Sequence, residues 1–348
     1  MDTIFADVVK KVISQYPVEV KNIYLLSFKG KKAVWSIETD IGEVIMKKVP
    51  FDENHIKFMV HAINYLIMNG INTPKVIKTK SNEGFVKIDD EYFVVFEAVY
   101  GRQPEYKYEN ELKMILNGMA SFHKASTGVE FTDGEFPSYL LVEWKSDLVR
   151  RYERLVNWKE ERAKVTEKNE VDMLFLEHVD TFLVQCQNSL SILNASYFEQ
   201  WMEETNKVKT LCHQDYAAGN LAIGNDGKLY VFDMDSLTVD FPVRDMRKIL
   251  NKVMKKQDAW DLNLMTTMLK AYHEVNPLTK EQYQILKGDI LFPHLFYGQI
   301  SKYYENREAK WTYAKHLSKI KDMISTELSK ETVVQKFFNS IDEVLLNG

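Results

Sequence analysis

The chain has 348 residues, of which 45% are hydrophobic and 27% are charged, an ordinary composition for a folded globular protein. Its length exceeds what one hydrophobic core usually supports, so two lobes are expected. The formal net charge of −5 gives the molecule no general attraction to nucleic acid or anionic lipid. No stretch reaches the roughly 18 consecutive apolar residues of a membrane helix, and residues 1–20 lack the pattern of a secretion signal. We therefore expect synthesis in the cytosol, with no nucleic acid and no membrane as a partner.

The first hundred residues contain short β-rich runs and one helical stretch. The helix is predicted at residues 54–68, where Asn69-Gly70 follows as a good helix stop. Turns are predicted at residues 29–32 and 40–42. The six predicted strands are residues 23–28, 33–39, 43–49, 75–78, 84–88 and 92–99. Together these elements predict a small, mostly antiparallel sheet with one helix.

The pattern becomes helical after Gly101. Apolar residues recur at helical spacing between residues 109 and 125, which predicts an amphipathic helix there. Residues 131–205 are interpreted as a largely helical insert, and after Asp245 almost the whole chain has helical character. The sequence therefore predicts an α+β protein with a β-rich lobe over residues 1–100 and a mostly helical lobe over residues 101–348.

The most informative segment is residues 211–235, which contains a predicted β-hairpin. Asp226-Gly227 is a strong signal for a two-residue turn because both residues tolerate positive φ angles. Short apolar runs flank this turn on both sides and are predicted to be its strands. A two-residue loop would place Asn220 opposite Asp233 at the open end of the hairpin.

The hairpin and the loop before it carry the residue types that phosphoryl transfer requires. Oxygen donors held side by side, as expected for Asn220 and Asp233, suit a hard cation such as Mg²⁺. Asp215 lies five residues before Asn220, where a carboxylate is suited to accept the proton of an attacking hydroxyl. The alternative is a hairpin with surface acids that bind nothing. The ordered set of base, amide and second carboxylate favours phosphoryl transfer.

The same segment has a family resemblance. It carries His213-Gln214-Asp215, then Asn220 and Phe232-Asp233, and in these residues it resembles the catalytic segment of the aminoglycoside phosphotransferase and choline kinase superfamily. The resemblance implies a bilobal protein-kinase-like fold that uses ATP and Mg²⁺. It implies Asp215 as catalytic base and Asn220 with Asp233 as Mg²⁺ ligands, while His213 braces the loop.

Two stretches of the N-terminal lobe resemble nucleotide-binding elements of that superfamily. Residues 96–102 resemble its hinge, whose backbone meets adenine, which implies that Glu97 and Val99 bind the nucleotide. Residues 44–47 resemble the lysine motif of the third strand. The resemblance thus makes the β-rich lobe the nucleotide-binding lobe.

Lys47 is the candidate nucleotide-binding lysine of that motif. Strand alternation places it on the same face as Ile45, which would form the ceiling over the nucleotide, while Lys48 would point away. The alternative is an ordinary exposed lysine on a strand.

A finer resemblance is to the CotS-type spore coat proteins, which are kinase-like proteins of endospore-forming bacteria. The features that carry it are residues 211–216, the long helical insert, Phe292-Pro293 and Tyr303-Tyr304. It covers nearly the whole chain. It implies synthesis in the mother cell, assembly into the spore coat, and other spore coat proteins as partners.

Two features depart from the superfamily pattern. The first turn has only Gly30 and three lysines in place of a glycine-rich loop, so it is either a phosphate-binding turn or a solvated basic one. The helix at residues 54–68 has no glutamate to hold the nucleotide lysine. Lys47 is therefore expected to be unpaired until a nucleotide binds.

Two functions remain open on the sequence. One is an ATP- and Mg²⁺-dependent phosphotransferase acting on a small hydroxylated acceptor. The other is a structural spore coat component that keeps the kinase-like fold with little or no catalysis. The intact residues of the hairpin segment favour the first, and the missing helix glutamate favours the second.

Overall fold

The computed structural model describes residues 3–346 and divides into two compact units. The first unit comprises residues 1–105, 121–138 and 208–239, and the second comprises residues 106–120, 139–207 and 240–348. The first unit thus takes in two segments from beyond residue 100. The predicted division of the sequence into two lobes at residue 100 stays a prediction.

Helices and strands are unevenly distributed between the units. The helices are α1 (Thr3–Ile13), α2 (Glu53–Met68), α3 (Glu109–Ser126), α4 (Trp144–Ala163), α5 (Glu170–Ala195), α6 (Phe198–Lys207), α7 (Pro242–Lys256), α8 (Leu262–Val275), α9 (Lys280–Leu291), α10 (His294–Tyr304), α11 (Tyr313–Leu328) and α12 (Lys330–Asn339). The strands are β1 (Val20–Lys29), β2 (Lys32–Thr39), β3 (Gly42–Val49), β4 (Val86–Ile88), β5 (Glu91–Glu97), β6 (Gly101–Arg102), β7 (Leu211–Cys212), β8 (Leu221–Gly224), β9 (Leu229–Val231) and β10 (Thr238–Val239). All strands of the described range 3–346 lie in the first unit.

The first unit is built on a five-stranded antiparallel sheet. Its strand order is β1-β2-β3-β5-β4, and short turns join β1 to β2 and β2 to β3. Helix α1 packs on one face, where Val12 and Tyr16 are buried together with Trp35 and Met46 of the sheet. Burial of these large apolar side chains stabilises the sheet on that face.

One predicted strand is reduced to a single bridge. Val76 lies opposite Phe96, but residues 75–78 form no longer ladder. The chain turns away directly afterwards, because Asn82 has a left-handed backbone with φ of 68° and the Thr79 N–H donates to the Glu83 carbonyl. A local turn therefore replaces the pairing that the β-rich composition predicts.

Helix α2 confirms the helix predicted at residues 54–68. Asp52 caps its start, since its Oδ1 accepts a hydrogen bond from the His55 N–H at 2.9 Å. Gly70, with φ of +86°, follows its end and permits the left-handed turn that stops the helix. The buried side of α2 includes Ile56 and Met59.

The three-stranded sheet β6-β8-β9 depends on a glycine. Gly101 of β6 lies opposite Gly224 of β8, and a Cβ at Gly101 would lie only 2.4 Å from the carbonyl oxygen of Ile223. Because that neighbour is backbone, the two strands would have to separate to admit any side chain.

We expect Gly101→Ala to lower the free energy of unfolding by about 1–3 kcal/mol, as overpacking against fixed atoms does. Thermal or urea unfolding measures it. Gly298→Ala in α10 is the matched control, because a Cβ built there meets no atom of the described residues within 4 Å beyond its own stretch of helix. Equal losses in the two variants would contradict this account of β6.

The second unit is helical and encloses a buried charged cluster. The Asp289 carboxylate is fully buried and accepts from Arg247 Nε at 2.9 Å, and His294 Nε2 lies 2.9 Å from its other oxygen. Burial would raise the pKa of Asp289, but Arg247 and His294 hold it below its ordinary range. Burial, reinforced by the charge of Arg247, lowers the pKa of His294 to about 3. His294 is therefore neutral in the folded protein at physiological pH.

This neutral histidine predicts that the protein loses stability on mild acidification. Below an unfolded pKa near 6.5 the unfolded chain binds a proton at His294 that the folded chain does not bind until the pH nears 3. The free energy of unfolding should thus fall by up to about 1.4 kcal/mol per pH unit within that window. Melting temperatures recorded between about pH 7 and pH 4.5 measure the slope. His294→Gln should make it shallower, and equal slopes in wild type and His294→Gln would contradict the assignment.

Within residues 3–346, no helix combines the length and the apolar character needed to cross a membrane.

Candidate active site

The catalytic-segment hairpin forms with a register that differs by one residue from the predicted one. Strands β8 and β9 pair through Leu221 with Val231, Ala222 with Tyr230 and Ile223 with Leu229. The loop has three residues, 225–227, because the Gly224 N–H donates to the Lys228 carbonyl at 2.8 Å. Gly227 takes φ of +77°, the left-handed residue that ends such a loop. The predicted two-residue turn is therefore wrong, since Asp226-Gly227 is preceded by one more loop residue.

The changed register alters which residues face each other. The Phe232 N–H donates to the Asn220 carbonyl at 2.9 Å, so Asn220 lies beside Phe232 and the predicted placement opposite Asp233 is wrong. Asp233 follows with φ and ψ of 60°, a left-handed conformation that bends the chain away from the ladder. Asn220 and Asp233 remain at the same open end of the hairpin, but their side chains have different partners.

Asn220 is joined to Asp215. Its Nδ2 donates to Asp215 Oδ2 at 2.9 Å and to the Asp215 carbonyl at 2.9 Å. With the nitrogen engaged in both bonds, the amide Oδ1 is the atom of Asn220 that remains to ligate a cation. The exposed carboxylate of Asp215 is thereby oriented by its neighbour.

His213 braces the loop to the hairpin, as expected. Its Nδ1 accepts from the Asp215 N–H at 3.3 Å, and its Nε2 lies 2.7 Å from the Phe232 carbonyl. Because Nδ1 is the acceptor, Nε2 carries the proton and donates to that carbonyl. Gln214, between them, has a left-handed φ of 68°. The ring therefore fixes the position of Asp215 relative to Asp233.

Two lysines and two aspartates form an ion-pair cluster beside the hairpin. Lys47 Nζ lies 2.6 Å from Asp233 Oδ1 and 3.7 Å from Asp235 Oδ1, and Lys32 Nζ lies 2.8 Å from Asp235 Oδ2. The expectation that Lys47 is unpaired is therefore wrong. Since Glu53 at the start of α2 pairs with Lys57 instead, the carboxylates after β9 take the place of a helix partner for Lys47.

The opposite charges in this cluster stabilise one another. Partial burial would raise the pKa of Asp233, but Lys47 and, more weakly, Lys32 hold that pKa below its ordinary value. Burial would lower the pKa of Lys32, but its hydrogen bond and attraction to Asp235 raise it instead. Asp233 is therefore a carboxylate and Lys32 an ammonium at neutral pH.

A cavity of about 600 Å³ lies next to this cluster, within the first unit. Its lining includes Ile45, Lys47, Met59, Glu97, Val99 and Asp233. The Val99 N–H makes no hydrogen bond to any residue of the described range 3–346, which leaves a backbone donor at the predicted hinge. Lys47 and Ile45 lie on the same face of β3, as strand alternation predicts, while the Lys48 side chain pairs with Glu91.

The structure groups the predicted site residues in two connected sets. Lys47, Glu97, Val99 and Asp233 border the cavity, and Asp215 with Asn220 forms a hydrogen-bonded pair on the loop that His213 ties to the hairpin.

The lining also includes residues that sequence reasoning missed. Met59 and Ile63 of α2 and Thr73-Pro74 after it border the cavity. The apolar side of α2 was readable from its periodicity, but that periodicity does not distinguish a cavity wall from a core. Glu43, which accepts a hydrogen bond from Tyr100 at 2.7 Å, was missed because nothing local marks it.

Comparison with known proteins gives a consistent family assignment. The chain matches the family model described as "Spore coat putative kinase YutH" over residues 11–337. It is 30% identical to spore coat protein S of Bacillus subtilis (strain 168) over 336 residues, which cover 94% of this chain and 93% of the relative.

Solved structures show the same fold. An aminoglycoside phosphotransferase from Alicyclobacillus acidocaldarius is similar with a TM-score of 0.80 at 17% identity, over 97% of this chain and 96% of that one. Amicoumacin kinase hAmiN in complex with AMP-PNP, Ca²⁺ and Ami is similar with a TM-score of 0.64 at 16% identity, over 98% and 97%. The predicted kinase-like fold is thereby confirmed.

Proposed function

We propose, since the chain belongs to the YutH family of kinase-like spore coat proteins, that it is an ATP- and Mg²⁺-dependent phosphotransferase of the spore coat. Its acceptor is a small molecule with a hydroxyl group, such as a sugar or an amino alcohol. It is made in the mother cell and assembles with other coat proteins.

One observation carries the proposal. A cavity large enough for a ligand is bordered by Lys47 and Asp233, in direct contact at 2.6 Å, and the hairpin that presents Asp233 also holds the Asp215–Asn220 pair. A cation-binding carboxylate, a phosphate-binding lysine and a base are the parts that phosphoryl transfer requires. A purely structural unit has no need to keep them together.

The nucleotide is assigned to the 600 Å³ cavity. Ile45 and Met59 supply apolar walls for a base, and the backbone at Glu97 and Val99 supplies the polar edge that recognises it. When the nucleotide binds, the Lys47 ammonium leaves Asp233 and contacts the nucleotide phosphates instead. The similar amicoumacin kinase, in complex with AMP-PNP and Ca²⁺, supports a nucleotide with a divalent cation.

The donor set suits Mg²⁺. Asp233 offers a carboxylate and Asn220 offers its amide Oδ1, and hard oxygen ligands of this kind, few in number, are what the ion takes when phosphates fill its other positions. When bound, the ion neutralises charge on the transferring phosphoryl group.

Asp215 is assigned as the general base. Its carboxylate is exposed and oriented by Asn220 and by the His213 brace, so an acceptor hydroxyl can reach it. It accepts the hydroxyl proton as the oxygen attacks the phosphoryl group. The chain between Asp233 and α7, which begins at Pro242, is too short to dock a peptide, which favours a small acceptor.

A second candidate is a structural coat protein without catalysis. The specific observation in its favour is that Lys47, Lys32, Asp233 and Asp235 satisfy one another's charges without any ligand. A scaffold that has lost its ligand would be stabilised by such pairs.

Thermal unfolding with and without ATP and Mg²⁺ separates the two candidates. A ligand that binds only the folded state raises the melting temperature by mass action. The phosphotransferase proposal expects a shift that requires both ligands and is lost in Asp233→Ala, followed by ADP release with members of a panel of hydroxylated compounds. No shift in wild type would favour the structural role. A shift without turnover on a broad panel would leave a nucleotide-binding scaffold.

A further inference from the structure

Strand β1 is an exposed edge of the five-stranded sheet. Of its ten residues, only Ile23 is partly buried, and the other nine are exposed. Within residues 3–346, β2 is the one strand that pairs with it. Long edges that keep unpaired backbone groups and apolar side chains are rare in monomeric proteins, because they pair with other chains.

The two faces of β1 differ in chemistry. Two bulges, at Lys21 and Leu26, interrupt its pairing with β2, and the residues between them keep the alternation. One face carries Val20, Ile23, Leu25 and Phe28; the exposed fractions of Val20, Leu25 and Phe28 are 40%, 43% and 51%. The opposite face carries Glu19, Asn22, Tyr24, Ser27 and Lys29. The strand is thus apolar on one side and polar on the other.

The sequence of β1 is complementary to itself when it is reversed. With the two bulge residues left out, antiparallel pairing about Tyr24 places Glu19 opposite Lys29, Val20 opposite Phe28, Asn22 opposite Ser27 and Ile23 opposite Leu25. Each acid meets a base, and apolar residues meet apolar residues. A shift of one residue would lose both charge pairs and turn the apolar side chains to the polar face.

We infer that β1 pairs with β1 of a second copy of this chain, on a two-fold axis that passes through Tyr24. The pairing joins two five-stranded sheets into one of ten strands, and the two interacting surfaces are identical, as a two-fold axis requires. Glu19 is already held in line with the strand, because its N–H donates to the Asp40 carboxylate at 2.7 Å and its carbonyl accepts from the Asp40 N–H at 3.0 Å. The charge pairs are the feature that selects a second copy over another partner.

Oxidative cross-linking tests the position of the axis. In the dimer the two Tyr24 residues are direct cross-strand neighbours, so Tyr24→Cys should give a disulfide-linked dimer with a mild oxidant. The native Cys186 and Cys212 are buried thiols and do not interfere. Ile41→Cys is the control, because Ile41 is 63% exposed on the turn between β2 and β3 and lies off the β1 edge. Equal cross-linking of the two variants would overturn the inference.

Charge reversal tests the register. Sedimentation velocity of the full chain over about 1–100 µM should show a monomer–dimer equilibrium. Lys29→Glu or Glu19→Lys alone should weaken dimerisation about tenfold, and the double variant should restore it, since the charge pairs are re-formed with exchanged signs. A chain that is monomeric throughout, including one that pairs this edge only with a different protein, would overturn the inference. So would a dimer that the single reversals leave unchanged.

Discussion

Replacing Asp215 with asparagine is expected to lower the rate of phosphoryl transfer about 10²- to 10⁴-fold, the range that general-base catalysis contributes. The amide cannot accept the proton of the acceptor hydroxyl. The affinity for ATP and Mg²⁺ should change little, because the new amide oxygen can still accept the hydrogen bond from Asn220 Nδ2 that links residue 215 to this proposed ligand. Steady-state ADP release, once an acceptor is in hand, and calorimetric nucleotide titration measure the two quantities separately.

The matched control for this substitution is Asp90→Asn. Asp90 is an exposed carboxylate on the turn between β4 and β5 of the same unit and lies away from the hairpin. It should leave both turnover and binding unchanged. Turnover that survives in Asp215→Asn would remove Asp215 from the base role, whereas a parallel loss of nucleotide binding would indicate a damaged fold.

Replacing Lys47 with methionine is expected to change two affinities in opposite directions. The affinity for ATP with Mg²⁺ should fall roughly 10- to 100-fold, since a charged hydrogen bond to phosphate contributes about 1.5–3 kcal/mol. The affinity for a divalent cation alone should rise, because the ammonium that lies 2.6 Å from Asp233 no longer competes for that carboxylate. Calorimetric titrations with nucleotide and with Mn²⁺ measure both.

Lys87→Met is the control for that experiment. Lys87 is an exposed lysine on β4 of the same sheet, and it does not border the cavity. Both affinities should stay near their wild-type values. A Lys47→Met protein that binds the cation more weakly than wild type would show that the Lys47–Asp233 pair supports the cation site instead of occupying it.

The sequence predicted those helices and strands of the first unit that are determined by residues close to them in the chain. Helix α2 has a capping aspartate and a terminal Asn69-Gly70, and the strands that became β1, β2 and β3 are bounded by turn residues. Such signals act over a few residues, so a single sequence contains them. Helix α1 was not predicted, although Val8, Val9, Val12 and Ile13 recur at helical spacing and form the side of the helix that packs on the sheet.

The hairpin shows where local signals fail. Asp226-Gly227 is compatible with loops of two or three residues, and the choice between them moves every side-chain pair by one position. The left-handed backbone at Asp233 partly offsets this one-residue shift, because it redirects the Asp233 carboxylate where the pairing of β8 with β9 ends. No sequence pattern predicts that this aspartate has a left-handed backbone.

The partner of Lys47 could not be predicted for a different reason. The absence of a glutamate from residues 54–68 was visible in the sequence, but the replacement comes from Asp233, 186 residues after Lys47. An ion pair of that separation depends on the tertiary fold. The sequence did show a second acidic residue, Asp235, two positions after Asp233.

The central claim is that Asn220 and Asp233 hold one cation beneath the nucleotide, and a double-mutant cycle on metal-dependent nucleotide affinity tests it most directly. The affinity for ATP is measured with and without Mg²⁺ in wild type, Asn220→Ala, Asp233→Asn and the double variant. If the two residues share one ion, each single substitution removes most of the gain due to Mg²⁺, and the double variant loses little more. A gain that persists in Asn220→Ala, or losses that add independently in the double variant, would contradict the claim.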